Sequence, residues 1–221
     1  MQEIVVFGTG GFGREVHQII EDLQKRGDAL NFLGFLDGNE SLHNTRVHGF
    51  PVLGGVEWLR EHTSVLVGMG VGNPKAKRKI MGQIAGLGAR CATLVHPMAW
   101  VGNRVELGEG TIVCAGATIT TDIRLGRGVV ININCTVGHD AQLHDYVTVA
   151  PGTTISGNVV VGEGTDLGTN GAIIQGVTVG EWSILGAGAV VSKDLPANVT
   201  AVGIPAKVIK ERPAGWHQEE Q

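Results

Sequence analysis

Aromatic side chains are scarce in this chain of 221 residues: five Phe, four Trp and one Tyr, 5% of the total. A mixed fold of this size usually carries more rings, so something else must fill its interior. Cysteine is sparse as well, and Cys91, Cys114 and Cys135 form neither a Cys-x-x-Cys pair nor a zinc spacing. A chain this long needs no disulfide or structural metal to close a core, and a reducing cytoplasm fits it best. No apolar run approaches the roughly 20 residues of a membrane span. The start, MQEIVVFGTGG, lacks the basic residues and long apolar segment of a signal peptide. Nor is there a basic excess. The net charge is −4, with no Lys/Arg cluster interleaved with rings, so nucleic acid is not an expected partner.

What the chain has in excess is glycine, 35 residues, and a repeat would account for both the glycines and the missing rings. Residues 1–97 show no repeat. They alternate short apolar strands (EIVVFG, NFLGFLDG, PVLG, SVLVGMG, ARCATLV) with helical segments (REVHQIIEDLQKRG, VEWLREH, PKAKRKIMGQIAGLG), which predicts a small parallel sheet with helices packed on it. From Val101 the period changes. Steps of six residues to Val191 land on Val, Leu or Ile at all 16 positions, and Gly follows in eight of them. A hexad with inward aliphatics describes a β-solenoid, in which three hexads close a triangular coil and coils stack about 4.8 Å apart. Cys135 falls on an inward position, Cys114 on a corner.

The hexads, and the ending GAGAVVSKDLPANVTAVGIPAKVIK at 186–210, resemble the hexapeptide-repeat acyltransferases. The resemblance implies what the spacing does not: a left-handed parallel β-helix and an acyl-transfer activity. The expected fold class is therefore an α/β N-terminal Rossmann-like domain (1–97) followed by a left-handed parallel β-helix (98–200), with a C-terminal extension over 201–221.

Gly8, Gly10 and Gly13 spell GxGxxG between a strand and a helix, with Asp37 closing the next strand. Alone, the motif fits a dinucleotide site, a phosphate cradle or a turn that merely packs the helix on the sheet. The segments GTGGFGREV (8–16), GFLDGN (34–39) and GVGNPKAKRKI (70–80) resemble one branch of the acyltransferases. These are bacterial sugar acetyltransferases that hold a nucleotide-activated amino sugar in an N-terminal Rossmann-like domain, including the bacillosamine- and perosamine-pathway N-acetyltransferases and the sialic acid O-acetyltransferases. The resemblance implies substrate contacts at Gly10, Gly11, Asp37, Gly72 and Asn73. Two departures stand out: Phe12 where the family commonly has His, and Asp37-Gly38 where it has a pair of acids. UDP, GDP and dTDP sugars all stay open.

The stretch VGHDAQLHDYVTVAPG (137–152) presents His139, Asp140 and His144 in quick succession. His139 and His144 have the separation of two metal-ligating histidines in the related γ-class carbonic anhydrases. A third ligand is missing, since Asn103 stands two coils before His139, and no metal is expected. On the hexad grid His139 and Asp140 point outward at a corner. The resemblance makes His139 the general base and Asp140 the carboxylate that raises its basicity, in transfer from acetyl-CoA to the amino group of a nucleotide-linked amino-deoxy sugar. It further implies coenzyme contacts at Thr148, Gly157, Thr169 and Ala187, and a homotrimer with the coenzyme in the groove between neighbours. Gly157, one coil above His139, leaves room for a thioester near the main chain. The small apolar surface of residues 111–121 suits cover by a partner. Two other readings keep the fold: acylation of a hydroxyl, and a non-catalytic nucleotide-sugar-binding protein.

Overall fold

The computed structural model describes residues 1–218. The front domain runs β1 (Gln2–Phe7), α1 (Gly11–Arg26), β2 (Leu30–Leu36), β3 (Arg46–Val47), β4 (Phe50–Gly54), β5 (Leu66–Met69), α2 (Pro74–Gly86) and β6 (Arg90–Cys91). Its sheet has the order β3-β4-β2-β1-β5-β6, parallel except for the β3–β4 pair. The chain leaves β1 for β2 on one side and returns to β5 on the other, which opens a crevice at the carboxyl ends of β1 and β5. α1 buries Val16, Ile19, Ile20 and Leu23 and ends at Gly27 in the left-handed region. α2 starts at Asn73, whose side chain accepts from the Ala76 N–H, with Pro74 following.

Val56–Glu61, expected as an α-helix, is a 3-10 segment that buries Val56 and Leu59. Residues three apart eclipse in a 3-10 turn, and one pair is enough to cover the rim of β4. The segment 89–95, read as one strand, is split: Arg90–Cys91 joins the front sheet, while Leu94–Val95 opens the solenoid.

The solenoid is a three-sided prism of short parallel strands, two to four residues each. Its first face stacks Leu94–Val95, Ile112–Val113, Val130–Ile131, Thr148–Val149, Asp166–Leu167, Ile184–Leu185 and Val199–Val202. The second runs from Trp100–Val101 to Val190–Val191, the third from Val105–Leu107 to Thr178–Val179. Strands pair with the coil above in strict register, Thr118 with Thr136 and Thr136 with Thr154. Hexad aliphatics from Val113 to Val191, with Cys135, fill the interior in place of rings. Lys207–Glu211 folds back antiparallel on Val199–Val202, and His217 stacks on Trp182. The last three residues of the C-terminal extension, 219–221, lie outside the described residues. Among those described, no helix is long and apolar enough to cross a membrane.

The front domain covers the first face. Val16, Ile19, Ile20 and Leu23 of α1 share a cluster with Leu94, Ile112, Cys114 and Val130 of the prism. The apolar stretch 111–121 is thus covered in part by its own chain: Ile112 is fully buried and Cys114 2% exposed. Leu94, Ile112 and Val130 form the outward column of that face, and an apolar outward column needs a partner element.

Candidate active site

The glycines of the front turn divide by what surrounds them. A Cβ on Gly13 would collide with the Gly8 carbonyl oxygen, and one on Gly70 would lie 2.6 Å from Gly13 Cα, so these residues let α1 and β5 close on β1. Gly10 and Gly11 have nothing within 4 Å of a built Cβ and are exposed. Packing does not require glycine there. Their bareness leaves the N-terminal amides of the 16-residue α1 open to a phosphate.

Asp37 stands beside them. Its Oδ2 accepts from the Thr9 amide (2.9 Å) and hydroxyl (2.6 Å), and its Oδ1 from the Asn39 amide (2.9 Å). Burial pushes this carboxyl upward, but those hydrogen bonds outweigh it and hold it below the usual carboxylate range. Gly72 and Asn73 follow β5 across the crevice, Gly72 again with open space at its Cβ. Topology therefore brings Gly10, Gly11, Asp37, Gly72 and Asn73 to one rim of the parallel sheet.

The second candidate cluster lies on the edge between the second and third faces. Every coil must turn there through a left-handed residue, and Arg104, Asp122, Asp140 and Asn158 do so with φ of 58, 57, 61 and 56°. His139 precedes one of these. Its Nδ1 lies 2.8 Å from Asp140 Oδ2, and both side chains are about half exposed, 52% and 55%. A carboxylate only accepts, so Nδ1 carries the proton and Nε2 is the free basic nitrogen. That nitrogen points at the next coil: a Cβ on Gly157 would lie 2.5 Å from it. The space at Gly157 is taken by the imidazole itself, where the sequence suggested room for a thioester. The basic edge is legible in the sequence because His139 and Gly157 are one coil apart.

His144 is exposed on a different edge, between the third and first faces, with the strand Gln142–Leu143 separating it from His139. The spacing that suggested a metal pair spans the third face from one edge to the next, and no group of three His, Cys, Asp or Glu among the described residues could hold a metal ion.

The four expected coenzyme contacts do not converge. Gly157 sits with His139, whereas Thr169 and Ala187 are exposed on the edge between the first and second faces. Thr148 is on the first face under α2, 8% exposed. Its hydroxyl donates to the Gly72 carbonyl (2.6 Å) and accepts from Lys77 Nζ (2.8 Å), so it serves the seam between the domains. Lys77 was not singled out by sequence. A signal existed: it shares the buried stripe of α2 with Pro74, Met81 and Ile84.

Residues 3–84 match the PglD N-terminal domain family, and residues 122–157 match the bacterial transferase hexapeptide (six repeats) family. Perosamine N-acetyltransferase from Caulobacter crescentus, a His→Asn mutant in complex with CoA and GDP-perosamine, is 32% identical with a TM-score of 0.85, over 96% of this chain and 98% of that one. The chain belongs to the hexapeptide-repeat sugar N-acetyltransferases. The acetyltransferase domain of PglB from Neisseria gonorrhoeae, in complex with acetyl coenzyme A, is 34% identical with a TM-score of 0.85, over 94% of this chain and 99% of that one. A GDP-perosamine N-acetyltransferase from Escherichia coli O157:H7 is 33% identical over 119 residues, 53% of each protein, so the match spans about half the length of that curated relative. As in this family, a Rossmann-like α/β domain is followed by a left-handed parallel β-helix.

Proposed function

We propose that this acetyltransferase moves the acetyl group of acetyl-CoA onto the amino group of a nucleotide-linked amino-deoxy sugar. The observation that carries this reading is the His139–Asp140 pair, with Nε2 free on an exposed edge. As the amine attacks the thioester carbonyl, it must shed a proton, and His139 Nε2 collects it. Asp140 fixes the tautomer and favours the imidazolium that forms. The oxyanion of the tetrahedral intermediate takes a hydrogen bond from the Gly157 N–H. Collapse breaks the C–S bond, and the departing thiolate recovers the proton.

The nucleotide sugar lies across the crevice, with its diphosphate on the amides of Gly10 and Gly11 and its nucleoside toward Asp37. Its sugar points past Gly72 and Asn73 to the prism. The relatives crystallised with GDP-perosamine make a GDP-linked 4-amino sugar the first acceptor to test.

One copy cannot complete this site, because the front domain sits on the first face and His139 on the edge opposite to it. The second face resolves the problem. Its outward column, Trp100, Thr118, Thr136, Thr154, Ala172 and Val190, carries no charge, and Trp100 is 57% exposed. Three copies with second faces inward form a closed ring. In it, the edge that carries His139 and Gly157 in one copy faces the edge that carries Thr169 and Ala187 higher up the prism of the partner subunit, with the coenzyme running along the groove between them.

Replacing His139 by Asn tests the assignment through thiol release from acetyl-CoA with GDP-perosamine. A fall of about 10²- to 10⁴-fold is expected. Undiminished release removes His139 as the base, and a product that base treatment hydrolyses is an ester, which places the acyl group on oxygen.

A further inference from the structure

Lys77 has no part in that mechanism, yet it is fully buried. Its Nζ donates to Thr148 Oγ1 at 2.8 Å and more weakly to the Val147 carbonyl at 3.4 Å. Burial drives its ammonium down to about 7, against the opposing charge of Asp166, the residue paired with Thr148 one coil up. Methionine would fill the same volume without placing an ionisable group in the interior, so packing alone does not account for lysine here.

The contacts give it a direction. A hydroxyl has one proton, and that of Thr148 goes to the Gly72 carbonyl at 2.6 Å, so its lone pair receives the proton of Lys77. The chain of hydrogen bonds runs from α2 through the first face to the turn after β5, and it ends on Gly72. On its outer side that turn is open, since a Cβ on Gly72 would touch nothing within 4 Å and Asn73 is exposed, while the Asn73 side chain and carbonyl accept from the Ala76 and Lys77 amides of α2. The Gly72–Thr148 hydrogen bond ties this turn and the start of α2 to the first face of the prism.

We propose that Lys77, acting through Thr148, is a positioning residue for the acceptor: it pins the Gly72–Asn73 turn to the prism and so fixes where the sugar end of the nucleotide sugar is presented. This rests on the N-acetyltransferase reading above.

The test is calorimetric binding of GDP-perosamine and, separately, of acetyl-CoA to the full chain. The double variant Lys77→Met/Thr148→Val removes the ammonium and the hydroxyl together, leaving the part-buried Gly72 carbonyl to water and Asp166 without the opposing charge, so it should stay folded and melt at most a few degrees below the wild type. We expect its Kd for GDP-perosamine to rise about fivefold to tenfold, the worth of about one net hydrogen bond, with the Kd for acetyl-CoA within twofold. Thr148→Ser, which keeps the hydroxyl, should restore sugar-nucleotide affinity. If the wild type binds GDP-perosamine and the double variant binds it equally well, or loses both ligands alike, the positioning role is wrong while the reaction stands. If the wild type binds acetyl-CoA but neither GDP-perosamine nor the corresponding UDP and dTDP 4-amino sugars, the acceptor reading fails and this inference with it.

Discussion

Gly157→Ala isolates the geometry of the base from the stability of the fold. The new Cβ would lie 2.5 Å from His139 Nε2, 2.6 Å from Cε1 and 3.0 Å from Cδ2. Ordinary contact between such atoms begins near 3.5 Å, so the ring must withdraw by about 1 Å. It has somewhere to go, because the His139 side chain is 52% exposed. Gly157 is not among the glycines held in the left-handed region, so alanine adopts its backbone unstrained, and the loss of unfolded-state entropy is worth about 0.4–1 kcal/mol in its favour. The cost therefore falls on the alignment of Nε2 and on its bond to Asp140. Misplacing a reacting group by about 1 Å costs on the order of 10² in rate. We expect kcat for thiol release to fall by about that factor, with a melting temperature equal to or slightly above the wild type. In a His139→Ala background the same substitution should cost almost nothing further, since its effect acts through the ring. A wild-type kcat for Gly157→Ala, or an equal loss in both backgrounds, would refute the argument and move the role of Gly157 to the coenzyme.

Three further outcomes follow from the fold. Because hydrogen bonds hold the Asp37 carboxyl below the usual value near 3.9, its stabilising contribution is complete above about pH 4 and is lost as pH falls through the lower folded value. Thermal melts of wild type and Asp37→Asn should thus differ at pH 7 and converge as the pH falls below the usual carboxylate range. Ile112→Ala, at a fully buried position in the cluster shared by both domains, should cost about 2–5 kcal/mol in urea unfolding and leave one transition seen alike by tryptophan fluorescence and circular dichroism. Ala172→Arg puts a charge into the uncharged column of the second face. If the proposed ring forms, sedimentation should show three copies for the wild type and single copies for this variant, with acetyl transfer lost and sugar-nucleotide binding retained.

The solenoid was readable because its tertiary contacts are local in sequence. Stacked residues are a fixed number of positions apart, so a count along the chain is also a count up the prism, and His139 beneath Gly157 follows from the same arithmetic. What stayed hidden lies where that arithmetic is silent. Counting inward positions says nothing of which outward column is covered. Leu94, Ile112 and Val130 were present as an apolar column that ends at Thr148, yet the surface around Cys114 read as one for a neighbouring copy to cover. Lys77 was passed over because a lysine on a helix ordinarily lies in water, although its spacing from Met81 and Ile84 placed it on the buried stripe. Thr148 was assigned to the coenzyme by resemblance, and the seam around it came into view only with the front domain in place.

The height of the base along the prism ties these parts together. A ring of copies related by an axis parallel to the prism preserves height, so a residue of one copy meets only what stands level with it in the next. His139 and Thr148 are half a coil apart, a rise of about 2.4 Å when coils stack at about 4.8 Å. In the proposed ring the Gly72 turn, tethered to Thr148, would therefore lie nearly level with His139 of the partner subunit. Lower down, the same edge is closed by Asp122, one coil below, and Arg104, two coils below, whose ion pair at 2.7 Å occupies the corner. One coil higher, the corner passes through Gly157 and Asn158. The imidazole thus stands at the step where the edge opens, and in the proposed ring it would share its height with the Gly72 turn, so that a front domain docked one coil higher or lower on the first face would face a corner without a base.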